Sequence, residues 1–136
     1  MKYGVCAAAA VLLSLALVPG VSAGLDMIAG MWEITTKWDM PGMPMEMPSV
    51  TFTQCLSREN TVPRIESEYS GCTIINAEAT DSSVAWEVEC SDNGKIMKGI
   101  GKVTYNHDTF TGGMTLEAEG ITTTHYLSGR RIGDCT

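Results

Sequence analysis

The sequence predicts an all-β domain, folded as a single antiparallel, strongly curved sheet or as a small up-and-down barrel of about seven to eight strands. Apolar and polar residues alternate with a period of two along most of the chain after residue 24, and Val, Ile, Thr, Tyr and Trp are frequent there. Short turn-forming stretches separate these segments, so strands that are neighbours in sequence are expected to pair. The sheet must curl because its strands are amphipathic and have to hide one face.

The predicted elements follow this alternation in order along the chain. The clearest strand covers residues 83–90, and its partner is 72–79, joined through a two-residue turn at Asp81-Ser82. In that register Ile75 faces Val88. The other predicted elements are strands Met31–Asp39 and Val50–Leu56, a short helical turn over Ser57–Asn60, and strands Lys95–Tyr105, Thr109–Glu119 and Ile121–Arg131.

The start of the chain is predicted to be a secretory signal peptide over residues 1–23. Lys2 gives a positive start, the apolar run 5–18 is too short to span a bilayer, and residues 21–23 fit the signal peptidase pattern. We therefore expect one exported domain, residues 24–136, without a transmembrane segment.

Charge and motif content argue against several functional classes. The chain has 9 basic and 16 acidic residues, a net charge of −7, which disfavours nucleic acid as a partner. We find no Gly-x-Ser-x-Gly, no His-Glu-x-x-His and no phosphate-binding glycine loop. His107 is expected in a turn and His125 in the middle of a strand, so neither is predicted to be catalytic. The prediction is a protein that is not an enzyme.

Four cysteines follow the predicted signal: Cys55, Cys72, Cys90 and Cys135. An even number in an oxidising compartment predicts two disulfides, and the lack of a Cys-x-x-Cys motif disfavours zinc. Three pairings are open. We favour Cys55–Cys72 with Cys90–Cys135, because the first bond would close off the polar segment between its two cysteines. The predicted register also argues against Cys72–Cys90, since it puts these side chains on opposite faces.

The loop between the first two predicted strands, residues 40–48, is rich in methionine and proline. The prolines exclude helix and regular strand pairing, which leaves an extended loop. We predict that it forms a contact surface for an apolar small molecule, a lipid or a protein partner, because methionine adapts to varied surfaces. The predicted ligand-binding residues are Trp38, Met40, Met43, Met45 and Met47.

Two alternative functions remain open. The same four methionines are a candidate Cu(I) site, since thioethers are soft ligands; otherwise no cofactor is predicted. The domain is alternatively a structural component that pairs with a neighbour through an edge strand, either its first or its last.

Residues near both ends of the domain resemble the lipocalin-like barrels. Gly30-Met31-Trp32 is similar to the start of their first strand, and Arg130-Arg131 lies near the chain end. The resemblance implies that an arginine packs over the Trp32 indole, which would hold the two ends of the sheet together. Trp86, in contrast, is predicted to belong to the core.

A more extensive resemblance covers nearly the whole predicted domain. The chain resembles the domain-of-unknown-function 3617 family of small exported bacterial proteins, which implies a periplasmic location and makes the methionine loop and the four cysteines part of the family plan. The residues that carry it are Gly30–Lys37, the Met-Pro-Gly-Met-Pro-Met loop, Gln54-Cys55-Leu56, Gly71-Cys72, Val84-Ala85-Trp86, Cys90 and Ser128–Cys135.

Overall fold

The computed structural model describes residues 24–64 and 71–136, and in these residues it shows seven antiparallel strands and no helix. The strands are β1 (Gly30–Asp39), β2 (Val50–Leu56), β3 (Cys72–Ala79), β4 (Ser83–Asp92), β5 (Lys95–Asn106), β6 (Thr109–Ala118) and β7 (Ile121–Gly133). The all-β prediction is confirmed. The predicted signal peptide lies outside the described residues.

The strands form one sheet in the order β2-β1-β7-β6-β5-β4-β3. It is an up-and-down arrangement in which the first strand also pairs with the last, so the sheet curls into a half-barrel that is open between β2 and β3. The prediction that the first or last strand provides a free edge is therefore wrong. β1 and β7 pair at nine positions, and this pairing buries the apolar side chains of Ile34 and Leu127 on the inner face of the sheet.

An aromatic cluster lies at the centre of the inner face. Trp32 has no exposed surface, and its ring packs edge-on against Tyr105 and stacks with Phe110 at centroid distances of 5.6 and 5.7 Å. The Trp32 Nε1 group donates to the Ile28 carbonyl at 3.1 Å, so burial leaves no polar atom of the indole unpaired. Trp86 is also buried, on the inner face of β4. These aromatic rings supply much of the apolar surface that stabilises the half-barrel.

The two disulfides join Cys55 to Cys135 and Cys72 to Cys90. The favoured pairing of the sequence analysis, Cys55–Cys72 with Cys90–Cys135, is therefore wrong. Cys55 lies in β2 opposite Met31 of β1, and Cys135 lies two residues after the end of β7, the strand on the other side of β1. The nonlocal pairing of β1 with β7 thus brings the chain end next to β2.

The Cys72–Cys90 bond, which the predicted register disfavours, is made possible by a β-bulge in β3. The register between β3 and β4 shifts at Ile75, so Ile74 and not Ile75 lies opposite Val88. One extra residue reverses the faces of all the residues before it, which places Cys72 directly opposite Cys90.

The segment after β2 is also different from the prediction. Ser57 and Asn60 form an isolated antiparallel bridge with backbone hydrogen bonds of 3.1 and 3.0 Å, so this is a tight β-turn and not the predicted helical turn. The Gln54 side chain then holds the returning chain, donating to the Val62 carbonyl at 3.3 Å and accepting from the Arg64 amide at 2.8 Å. These bonds fold the segment back along β2, which excludes a helix.

The disulfide topology predicts unequal contributions to stability. The Cys55–Cys135 bond closes a separation of 80 residues and the Cys72–Cys90 bond one of 18. Because the longer loop restricts the unfolded chain more, replacing the first pair by alanine should reduce the free energy of unfolding by about 1 kcal/mol more than replacing the second. Urea unfolding of the two double variants measures this difference. A larger loss from the Cys72/Cys90 variant would contradict it.

Candidate functional site

The methionine loop connects two strands that are themselves paired. β1 ends at Asp39 and β2 begins at Val50, so both ends of the loop are fixed to the sheet. The loop opens with a turn in which the Met43 amide donates to the Met40 carbonyl at 3.3 Å, and Gly42 has a φ of 87°, a conformation that favours glycine. After this turn the prolines keep the chain out of regular pairing.

The loop and the neighbouring strand ends enclose a cleft of about 620 Å³, which we call the methionine cleft. All five residues predicted to bind a ligand contribute to it, so the structure brings them together. Met43 and Met45 are 54% and 77% exposed, which places their thioethers at the surface and not in the core. The lining residues are Lys37, Trp38, Asp39, Met40, Met43, Pro44, Met45, Glu46, Met47, Pro48, Ser49 and Tyr126.

Two important lining residues were missed from the sequence, Lys37 and Tyr126. They are directly opposite each other in the β1–β7 pairing, on the outer face of the sheet. Tyr126 is 54% exposed and adds an aromatic wall from β7. The alternation within each strand was visible in the sequence, but only the pairing of β1 with β7 brings Tyr126 to the loop. With Asp39 and Glu46 also in the lining, the cleft combines thioethers and aromatic rings with charged groups of both signs.

Tyr126 also borders a second, shallower cleft of about 680 Å³ on the outer face of the sheet. Its lining includes Gly113 of β6, the exposed Ile100, and charges from Glu87 and Lys102. The two clefts meet at Tyr126, so the surface available for contact extends beyond the methionine loop.

Three polar side chains lie close together on the inner face near the same end of β1: Thr36, Trp38 and His125. Trp38 and His125 are register partners whose ring centroids are 5.7 Å apart. Thr36 and His125 are buried, and Thr36 Oγ1, Trp38 Nε1 and His125 Nδ1 have no hydrogen-bond partner. Burial lowers the pKa of His125 below its ordinary value.

The residues of the lipocalin-like resemblance lie at the opposite end of β1. Arg130 forms an ion pair with Glu33 at 2.9 Å, and the Arg131 Nε donates to the Ala29 carbonyl at 2.9 Å, next to Gly30. These contacts do not show the lipocalin-like packing of an arginine over the indole. They fasten the two ends of the domain together, away from the methionine cleft.

A family match is the one comparison with known proteins that gave a result. Residues 27–135 match the family described as protein of unknown function (DUF3617). The chain belongs to the DUF3617 family. The family resemblance stated from the sequence is therefore confirmed, although it carries no activity to transfer. Neither the curated proteins nor the solved structures gave a match.

The described residues also bear on metals and membranes. Among residues 24–64 and 71–136, no group of three or more His, Cys, Asp and Glu side chains is arranged to hold a metal ion. No helix in the same residues is long and apolar enough to cross a membrane.

The buried histidine predicts a dependence of stability on pH. Because burial lowers the pKa of His125, its protonation opposes folding; the full stability is present above the ordinary value of 6.5 and declines as the pH falls below it. Replacing His125 with Leu should remove this decline between about pH 7 and about pH 5, as measured by thermal unfolding. His107→Gln, at an exposed turn, is the control and should keep it. The same decline in both variants would show that His125 is not its source.

Proposed function

We propose that this DUF3617 protein is a non-enzymatic binding protein of the periplasm that holds an apolar small molecule, a lipid or an apolar segment of a partner protein in its methionine cleft. The observation that carries this proposal is the exposure of the thioethers: Met43 and Met45 lie at the surface of a cleft of about 620 Å³ instead of filling the core. Exposed apolar side chains grouped around one concave surface are typical of contact sites.

The chemistry of the lining supports an amphipathic ligand. Methionine side chains are flexible and polarizable, so they adjust to ligands of different shape. Trp38 and Tyr126 add flat rings that bury a large area on contact. Lys37 and Glu46 at the same cleft favour a ligand that also carries a polar end. The cleft therefore suits a molecule with one apolar and one polar part.

The scaffold under the loop supports binding without a large ordering cost. Thr36 of β1 pairs with Val50 of β2, so the two ends of the loop start from adjacent positions in the sheet. The disulfide from Cys55 to Cys135 ties β2 to the chain end. A loop held at both ends loses less conformational entropy when a ligand binds than a free segment does. The two disulfides also support an oxidising compartment.

A second candidate is Cu(I) binding through the thioethers. The observation in its favour is that all four loop methionines, Met40, Met43, Met45 and Met47, line the same cleft. Thioether sulfur prefers Cu(I) among the metals available to an exported protein. The two functions use the same residues but different properties of them, the sulfur atom in one and the apolar volume in the other.

The first test replaces Met43, Met45 and Met47 together by Ser. If the cleft binds an apolar ligand, this variant should fold with unchanged stability but lose the ligand or partner that copurifies with the wild-type protein, as seen by native mass spectrometry of periplasmic extracts. The matched control replaces three exposed isoleucines outside the cleft, Ile96, Ile121 and Ile132, by Ser and should keep it. Equal retention by both variants would contradict the proposed function.

A leucine version of the same triple variant separates the two candidates. Leucine keeps the apolar volume and removes the sulfur, so apolar binding should survive while Cu(I) uptake, measured against a chelator that competes for the metal, should be lost. Stoichiometric Cu(I) uptake by wild type, with apolar binding absent throughout, would replace the first candidate by the second.

A further inference from the structure

Three polar side chains, Thr36, Trp38 and His125, form an internal polar cluster. Burying it without hydrogen-bond partners costs desolvation free energy. The Thr36 and His125 residues are 3% and 5% exposed, and one polar atom of each of the three side chains has neither solvent nor a hydrogen-bond partner. Buried polar atoms are almost always paired in folded proteins, because an unpaired one keeps its desolvation penalty without compensation. All three atoms lie together on the paired strands β1 and β7, so their desolvation penalties fall at one place in the fold.

The position of the cluster connects it with the methionine cleft. Trp38 belongs to both: it lines the cleft, and its ring faces His125 on the inner side of the sheet. Trp38 is only partly buried and lies one residue before the end of β1, where the loop begins. Trp38 is therefore the side chain that the cluster and the cleft share.

The atoms of the cluster define which chemical group fits. Trp38 Nε1 is always a donor, and the Thr36 hydroxyl is able to donate as well, so the ligand must supply an acceptor oxygen. The direct cross-strand neighbours are apolar: Val50 and Leu127 lie opposite Thr36, and Met114 lies opposite His125. Lowering of its pKa by burial keeps His125 neutral at neutral pH. A charged head group would lack a counter-ion among these neighbours, whereas an ester or hydroxyl would not need one.

We propose that Thr36, Trp38 and His125 form a subsite for the uncharged, oxygen-bearing head of the ligand, whose apolar part occupies the methionine cleft. This inference rests on the proposed function and makes it more specific: the ligand is a neutral amphiphile such as an acyl ester, and not a fatty-acid anion or a plain hydrocarbon. The head group enters at the end of β1 where Trp38 lies, and the Trp38 N–H and the Thr36 hydroxyl donate to the ligand oxygen.

The test compares three probes that share one chain length: octanoyl glycerol as the neutral ester, octanoate as the anion, and octane as the hydrocarbon. Wild-type protein should bind octanoyl glycerol most tightly at neutral pH, as measured by titration with tryptophan fluorescence and native mass spectrometry. Thr36→Val removes the hydroxyl at nearly constant volume and should weaken ester binding about three- to tenfold while leaving octane unchanged. Trp38→Phe keeps a ring and removes the donor, and should shift the ester in the same direction.

A second readout distinguishes a ligand subsite from a structural one. If the polar atoms are unpaired in the free protein, Thr36→Val should raise the unfolding midpoint while it weakens ester binding. If an ordered water pairs them instead, the same variant should lower the midpoint and leave the ester affinity unchanged, and that result would overturn the inference. Equal binding of ester and anion, or no binding of any probe by the wild type, would overturn it as well.

Failure of the polar subsite can be distinguished from failure of the proposed function, because different variants test them. The serine variant at Met43, Met45 and Met47 reports on the cleft, and Thr36→Val reports on the cluster. Loss of the copurified ligand in the serine variant, with no effect of Thr36→Val on any probe, would uphold the methionine cleft and refute the polar subsite.

Discussion

The pairing of the first strand with the last is the interaction on which the rest of this structure depends. It turns a simple succession of hairpins into a half-barrel, and it encloses the Trp32 cluster within one curled sheet. It brings the chain end beside β2, where Cys135 reaches Cys55. It also places Tyr126 next to Lys37 under the methionine loop. The stability of the domain and the shape of its cleft therefore depend on one nonlocal contact, between strands about ninety residues apart. Such contacts form slowly during folding, and here the Cys55–Cys135 disulfide holds the chain end in place.

Local strand structure was predictable because it depends on local alternation of side chains. The bounds of β2 and β3 agree with the prediction, and the hairpin turns follow from short polar stretches such as the one at His107. The nonlocal features were not predictable in the same way. Nothing in the composition of β3 marks Ile75 as a bulge, yet that single residue reverses the face of Cys72 and decides a disulfide. The pairing of β1 with β7 likewise depends on how the whole sheet curls.

In the candidate site, too, the local part was predictable from the sequence and the part formed by strand pairing was not. The methionine loop was visible in the sequence because prolines and thioethers are concentrated there and no strand pattern explains them. Tyr126 and Lys37 were not visible as site residues, since each one simply fits the alternation of its own strand. The polar cluster was hidden for the same reason: His125 had the pattern of an ordinary mid-strand residue, and only the register places it against Trp38. The candidate site is formed by residues from different strands, whereas a sequence pattern describes one strand at a time.

The half-barrel displays its loop thioethers at the surface, while other methionines lie inside. The most direct measurement is NMR of ¹³C-labelled methionine methyl groups in the presence of a soluble paramagnetic probe. We expect strong broadening of the Met43 and Met45 signals, which come from exposed side chains, and little effect on Met27 and Met114, which are 4% and 5% exposed. Protection of Met43 and Met45 to the level of Met114 would mean that the loop packs into the interior, and that the methionines do not form an exposed contact surface.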